Sequence, residues 1–350
     1  MNKMPSRSSS RRQHGAALLM AMVIVTLVST LAASMVWQQW RAVQVESAER
    51  VRSQSAWVLS GALDWARLIL REDGRNDGPD HLGEVWAMPL AEARLSTFLA
   101  ADSNNTAADD DDSPDAFLSG KVDDAHAKYN VRNLVEGGNI KDRELKAFKR
   151  LLEFLSLPPS LGDGVATSLS KAALAEMSYT SNDPGILEHL GGESGRAQAP
   201  LMPQTFDQLL WLGLDAATLE KLRPYVTLLP TTSAKVNINT ASKEVIAAVI
   251  DEMDLARAAR LVQARQRNPF KATSDISTVL GPGPAPNGWD TTRIDVKSEF
   301  FEVKGRLRYE DNVIEQRHLV QRLSGGSDVL VLQQSRFSGL DRAAGSQAAP

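Results

Sequence analysis

The chain contains no cysteine in its 350 residues. Disulfides, thiol chemistry and cysteine-ligated metals are therefore excluded, although this absence names no compartment. No proline occurs between Pro5 and Pro79, and no charged residue between Ala16 and Trp40. The first absence removes the strongest helix breaker. The second leaves an uncharged run longer than the ~20 residues that a bilayer-crossing helix needs. The charge balance is mild, with 39 basic and 43 acidic residues for a net −4, which argues against a general nucleic-acid binder. His14, His81, His126, His189 and His318 are scattered, with no zinc-binding pair at helical spacing. Nucleophile-elbow and phosphate-loop patterns are absent, so an enzyme is not expected. With 43% hydrophobic and 23% charged residues, the composition suits one or two folded domains plus an anchor.

The segment before the apolar run carries Lys3, Arg7, Arg11 and Arg12 and no acid. Basic residues hold the cytoplasmic side of a first hydrophobic segment, which puts the bulk of the chain across the membrane; Arg41 and Arg50 beyond the run weaken that bias. A secretory signal is the rival reading, since Ala32–Ala33–Ser34 offers a small-residue cleavage site and an amino terminus near Met35. The helical pattern does not stop there. Ala48, Val51, Ser55, Val58, Ala62, Trp65 and Ile69 recur at steps of three and four, and Leu59, Leu63, Ala66 and Leu70 widen the face. One helix from about Ala16 to about Arg71 is expected, ~80 Å long. Its first half is apolar all round and its second half amphipathic.

After a turn-rich acidic loop, Glu72–Asp80, the stretch Asp73–Glu84 partly matches a calcium loop. Asp73, Asp77, Gly78 and Glu84 fall at positions 1, 5, 6 and 12 of an EF-hand pattern. Arg75 at position 3 brings no ligand oxygen and repels a cation, so a solvated turn competes with calcium here. The polar run Ala101 to Asp115, with Asp109–Asp112, reads as a loop. Asp123 and Asp124 stand ahead of Ala127–Leu134, a short strand entering a helical region.

From Lys141 to about Arg223 the apolar spacing is helical, as in Leu145, Phe148, Leu152 and Leu155. Lys128–Tyr129–Asn130–Val131–Arg132–Asn133 has an internal echo in Lys235–Val236–Asn237–Ile238–Asn239–Thr240. The segment Asn237 to Ser274 resembles the helix-hairpin-helix of DNA-uptake proteins, whose glycine-rich turn binds phosphate through backbone N–H groups. The corresponding turn here, Glu252–Met253–Asp254–Leu255, has two acids and no glycine, so close approach and attraction both fail. Gly281–Pro286 reads as a linker. From Glu299 the period becomes two: Phe301, Val303, Gly305, Leu307 and Tyr309 alternate with charged residues. A turn at Glu310–Asn312 leads to a second strand, about Val313–Arg322, and a third covers about Val329–Gln334.

The basic leader ending in Gly15, the uncharged helix, Gly83–Glu84–Val85–Trp86–Ala87 and the two Asn-rich segments together resemble the type II secretion minor pseudopilin family called general secretion pathway protein K. The resemblance covers nearly the whole chain. It implies an α+β fold: a pilin-like long amino-terminal helix packed on an antiparallel sheet, with a large all-α inserted domain. The implied division is a prepilin leader (1–15), the transmembrane half of the helix (16–40), a pilin-like domain (41–133 and 298–338), an inserted domain (134–297) holding the helix-hairpin-helix-like segment (235–280), and a tail (339–350). It further implies cleavage after Gly15 by prepilin peptidase at the cytoplasmic face of the inner membrane. Ala16 then becomes the amino terminus and a site of methylation. Minor pseudopilins I and J and the other pseudopilins are the implied partners besides membrane lipid, no nucleic acid is expected, and calcium is the one cofactor the resemblance suggests, with Asp123 and Asp124 as its candidate ligands. Most pilin-like proteins carry glutamate at the fifth mature position, where this chain has Met20. A carboxylate in the bilayer is costly unless paired, and a subunit at a filament tip has no neighbour above it to supply the pair. A membrane-anchored DNA-uptake receptor is the alternative function.

Gly15→Val should block leader removal. Mass spectrometry of the chain recovered from membranes should find an amino terminus at Ala16 in the native form and an intact leader in the variant; identical processing of both would refute the assignment.

Overall fold

A computed structural model describes residues 14–95, 116–181, 183–284, 288–309 and 312–340. The acidic run Asp109–Asp112, the turn residues Glu310 and Asp311, part of the Gly281–Pro286 linker and residues 341–350 lie outside them. The chain forms two compact units, Met1–Ser60 and Gly61–Pro350.

A single helix, α1 (His14–Arg75, 62 residues), carries the described part of the first unit. It has no break at Ser34, as the uninterrupted periodicity predicts. It ends where Asp77 adopts a left-handed φ of 49°, followed by Gly78 and Pro79, which do not continue a helix.

In the second unit, β1 (Leu90–Arg94), β2 (Ala116–Asp124), β3 (Phe300–Tyr309), β4 (Asn312–Arg322) and β5 (Val329–Leu340) form one antiparallel sheet in that order. The expected alternation in β3 is present: Phe301, Val303 and Leu307 are buried. In the β3–β4 register Phe301 lies opposite Val320 and Leu307 opposite Ile314. The carboxyl-terminal turns of α1 cover this face. Ala66 and Leu70 share a core with Trp86, Phe301, Val303, Val320 and Val329, and Leu63 and Ile69 pack against it. Two strands, β1 and β2, were not expected, and β5 runs six residues past the predicted end at Gln334. It pairs with β4 up to Asn312↔Leu340, so hydrogen bonding to a long partner extends it through polar sequence.

Between β2 and β3, which are direct neighbours, the chain leaves the sheet to build a helical body. Helices α2 (Asp142–Phe154), α3 (Ser160–Thr180), α4 (Lys243–Val249) and α5 (Leu255–Arg267) share one core that includes Tyr129, Phe148, Leu169, Leu222, Ile246 and Leu261. This body starts earlier than residue 134, because Tyr129 and Val131 already belong to its core.

The sequence echo is also a structural one. Tyr129–Asn130 pairs in parallel with Val226–Thr227, and Val236–Asn237 pairs in parallel with Ile294–Asp295. Asn133 Nδ2 donates to Ala234 O (2.7 Å) and its Oδ1 accepts from Ala234 N (3.1 Å). One position out of the echo's register, Asn239 makes the same pair with Phe270, at 3.0 and 2.9 Å. Each half then runs helix, turn, helix, with a left-handed residue in the turn: Ser156 (φ 56°) and Glu252 (φ 57°). A buried asparagine satisfied at both ends fixes a loop without leaving a polar group unpaired.

Leu70→Ala should destabilise the second unit by about 2–5 kcal/mol, the usual cost of emptying a fully buried leucine site. Equilibrium denaturation of the full chain in detergent measures it, and a loss below ~1 kcal/mol would detach α1 from the sheet core.

Candidate functional site: an apolar stem and a charged joint

The described residues hold one helix long and apolar enough to cross a membrane, with mean hydropathy 2.4 in its most apolar window and none of that window buried. Leu18, Leu19, Met20, Ile24, Val28 and Leu31 all face outward, far more contiguous apolar surface than a soluble monomer leaves bare. Three of the four hydroxyls between Ala16 and Trp40 are bonded within the helix. Thr26, Thr30 and Ser34 donate to Val23 O, Leu27 O and Leu31 O at 2.8–2.9 Å, so they carry no unpaired donor into an apolar medium. Trp37 and Trp40 close the run, and the first charge, Arg41, lies 6.0 Å from the Trp37 ring; aromatic residues followed by a cation suit a membrane–water boundary. Gly15 and Ala16 lie within α1 near its start.

The acids picked out by sequence divide into three places. Asp73 and Glu84 converge with Asp80, which sequence reasoning passed over; one carboxylate oxygen of each lies within 4.8 Å of the others. Arg322, at the end of β4, reaches into this cluster. Its Nη1 donates to Asp73 (2.5 Å), and its Nη2 donates to both Asp80 oxygens (2.6 and 2.7 Å) and to Ser298 O (2.8 Å). Ser298 N also donates to Asp80 at 2.6 Å, while Glu84 accepts from His81 N and from the Trp86 indole at 2.9 and 2.7 Å. Burial and the neighbouring Glu84 push the Asp73 carboxyl up, and burial pushes Asp80 up against the opposing pull of Arg322.

Four of the six carboxylate oxygens are taken by these donors, and Asp73 itself is helical. Calcium takes six to eight oxygens, so with Arg322 in place this donor set does not fit it. Asp77 stands apart, exposed, its carboxyl held down by a hydrogen bond from Lys297 at 2.5 Å.

Asp123 is bound by Lys121 (3.0 Å) and Lys304 (2.9 Å). Burial would raise its carboxyl, but the two lysines together outweigh that and hold it below the ordinary range. Asp124 is buried and joins the sheet to the helical body. Its Oδ1 accepts from His126 N (2.7 Å), and its Oδ2 accepts from Thr240 Oγ1 (2.5 Å), Ser298 Oγ (2.7 Å) and Asn237 Nδ2 (3.1 Å). Asn237, fully buried, also reaches Asp80 O at 3.1 Å. These are protein–protein bonds, and neither acid is arranged as a metal ligand.

The α4–α5 turn carries its own anion. Asp251 receives Arg293, Arg150 and Arg143 at 2.7, 3.1 and 3.3 Å. Burial would raise its carboxyl, but the three guanidinium groups lower it on balance. A left-handed glutamate, Glu252, stands where a phosphate-binding turn would have glycine. A cleft of about 310 Å³ opens between β3–β5 and the segments around Phe206 and Arg223. Several of its charges are paired, Lys304 with Asp123 and Glu302, and Arg223 with Asp207 and Glu220.

Asp124→Ala leaves the Thr240, Ser298 and Asn237 donors facing a void, which should lower stability by roughly 3 kcal/mol or more. Thermal unfolding of the full chain reads this directly; a melting temperature equal to that of the native chain would remove Asp124 from the joint.

Two models of the family described as type II secretion system protein K match this chain, over residues 127–231 and 236–297. The two matches meet at the border between the two halves of the helical body. The type II secretion system protein K of Pseudomonas aeruginosa is 27% identical over 344 residues, covering 94% of this chain and 94% of that relative. That of Pectobacterium carotovorum is 27% identical, covering 92% and 96%, and that of Klebsiella pneumoniae 28% identical, covering 89% and 94%. Among solved structures, a chain of the GspK–GspI–GspJ complex from the enterotoxigenic Escherichia coli type 2 secretion system has the same fold, with a TM-score of 0.54 at 17% identity over 83% of this chain and 99% of that one. With relatives aligned almost end to end and both halves of the helical body matched, the chain is similar to type II secretion system protein K along nearly its whole length.

Proposed function

We propose that the chain is the minor pseudopilin at the tip of the type II secretion pseudopilus, with minor pseudopilins I and J as its partners. It helps start assembly there and limits further growth. The observation that carries this reading is the wholly exposed apolar segment of α1 in a chain that aligns with protein K relatives over nearly its full length. In this reading prepilin peptidase cuts after Gly15, Ala16 becomes the amino terminus, and the head stands on the periplasmic side of the inner membrane.

Packing of apolar stems brings the subunits together in the bilayer. Helices there associate through close van der Waals contact rather than through a hydrophobic driving force. Met20 brings no carboxylate that needs a partner from above. The helical body, inserted between two neighbouring strands, adds bulk at one end of the head and obstructs the addition of another subunit. Filament growth from below then moves folded proteins toward the outer membrane.

Initiation and capping predict opposite changes in two readouts. Cells lacking this chain should form fewer pseudopili, and those that form should be longer; supplying the chain in excess should shorten them. Electron microscopy of sheared filaments in cells overproducing the major pseudopilin measures both. Unchanged number and length would overturn the proposal.

A further inference from the structure

The cluster of Asp73, Asp80 and Glu84 has the look of a cation site, yet a side chain of the same molecule already brings a cation into it. We propose that Arg322 is the resident cation of this cluster, clamping the end of α1 to the sheet without a metal ion.

The guanidinium matches the seat in shape as well as in sign. Its fork spans two acids, with Nη1 on Asp73 and Nη2 on both oxygens of Asp80. Another contact goes to Ser298 O, and the cation lies 4.9 Å from the Phe301 ring centre. A planar fork with fixed donors suits this mixed set, and while it occupies Asp73 and Asp80 a spherical ion finds too few free oxygens.

The backbone is also cut to admit the arginine. A Cβ at Gly74 would lie 2.8 Å from Arg322 Cδ, and one at Gly326 would collide with Arg71 O. Glycine at both positions lets the helix end, the arginine stem and the turn after β4 come into contact. A guanidinium never loses its charge in the physiological range and cannot dissociate from the chain. The clamp is therefore indifferent to calcium supply, and removing the arginine should expose a metal site.

The test uses the full chain in detergent with terbium as a calcium probe. The Trp86 indole is hydrogen-bonded to Glu84 and would sensitise a terbium ion in the cluster, so Trp86→Phe separates signal at this site from signal elsewhere. The native chain should show no Trp86-dependent terbium emission. It should also show no calcium-induced melting shift that Asp80→Asn removes. Arg322→Gln should melt lower in EGTA, gain Trp86-dependent emission that calcium displaces, and recover part of its melting temperature in calcium. Arg322→Lys, which keeps the charge but loses the fork, should melt lower than native and still reject terbium. Trp86-dependent emission from the native chain would overturn the proposal, as would folded Arg322→Gln that binds no terbium. The native measurement decides even if Arg322→Gln does not fold.

Discussion

One buried guanidinium closes the head of this protein. Arg322 joins the last turn of α1 through Asp73, the post-helix segment through Asp80 and the approach to β3 through Ser298. A charge in such a place is strongly unfavourable without partners, and removing any one of them leaves another charge exposed to a low dielectric. The apolar core beneath it is small: Ala66 and Leu70 of α1 against Trp86, Phe301, Val303, Val320 and Val329. Burial supplies the attraction between helix and sheet. The ion pairs set the angle and register at which they meet, because a fork on two carboxylates tolerates little displacement.

The same network continues into the inserted body. Ser298 bonds both Asp80 and Asp124, and Asp124 in turn holds Thr240 and Asn237. This continuity explains how a long insertion coexists with an intact sheet. Its two ends enter and leave at adjacent strands, β2 and β3, which would be hydrogen-bonded neighbours with or without it. The insertion has its own core, and polar contacts between complementary backbone and side-chain groups orient it. The family resemblance anticipated a helical insert. It did not show that the insert is built from two similar halves, each closed by an asparagine that grips a distant backbone segment.

What was legible followed from periodicity. The uncharged run, the three-and-four spacing beyond it and the alternation from Phe301 onward each report a regular element with one dominant environment. The strands β1 and β2 carried no such signal. Leu90–Arg94 is short and lies at a sheet edge with little burial, and only two of the nine residues in β2 are fully buried. In the acidic pattern from Asp73, spacing along the chain does not carry over into space. Spacing along the chain matched a calcium loop, but Asp73 is helical, Asp77 turns away to Lys297, and the cation comes from a residue far along the sequence. No local window contains Arg322 together with Asp73.

The amino-acid sequence by itself determined the stem, the long helix and the strand alternation, because each rests on contacts between residues close in the chain or on the solvent each face must meet. The tertiary structure alone decided which acids face which cations, where the insert begins and how β5 extends. Those outcomes depend on which distant segments become neighbours, and a charged residue finds its partner by position in space rather than by position in the chain.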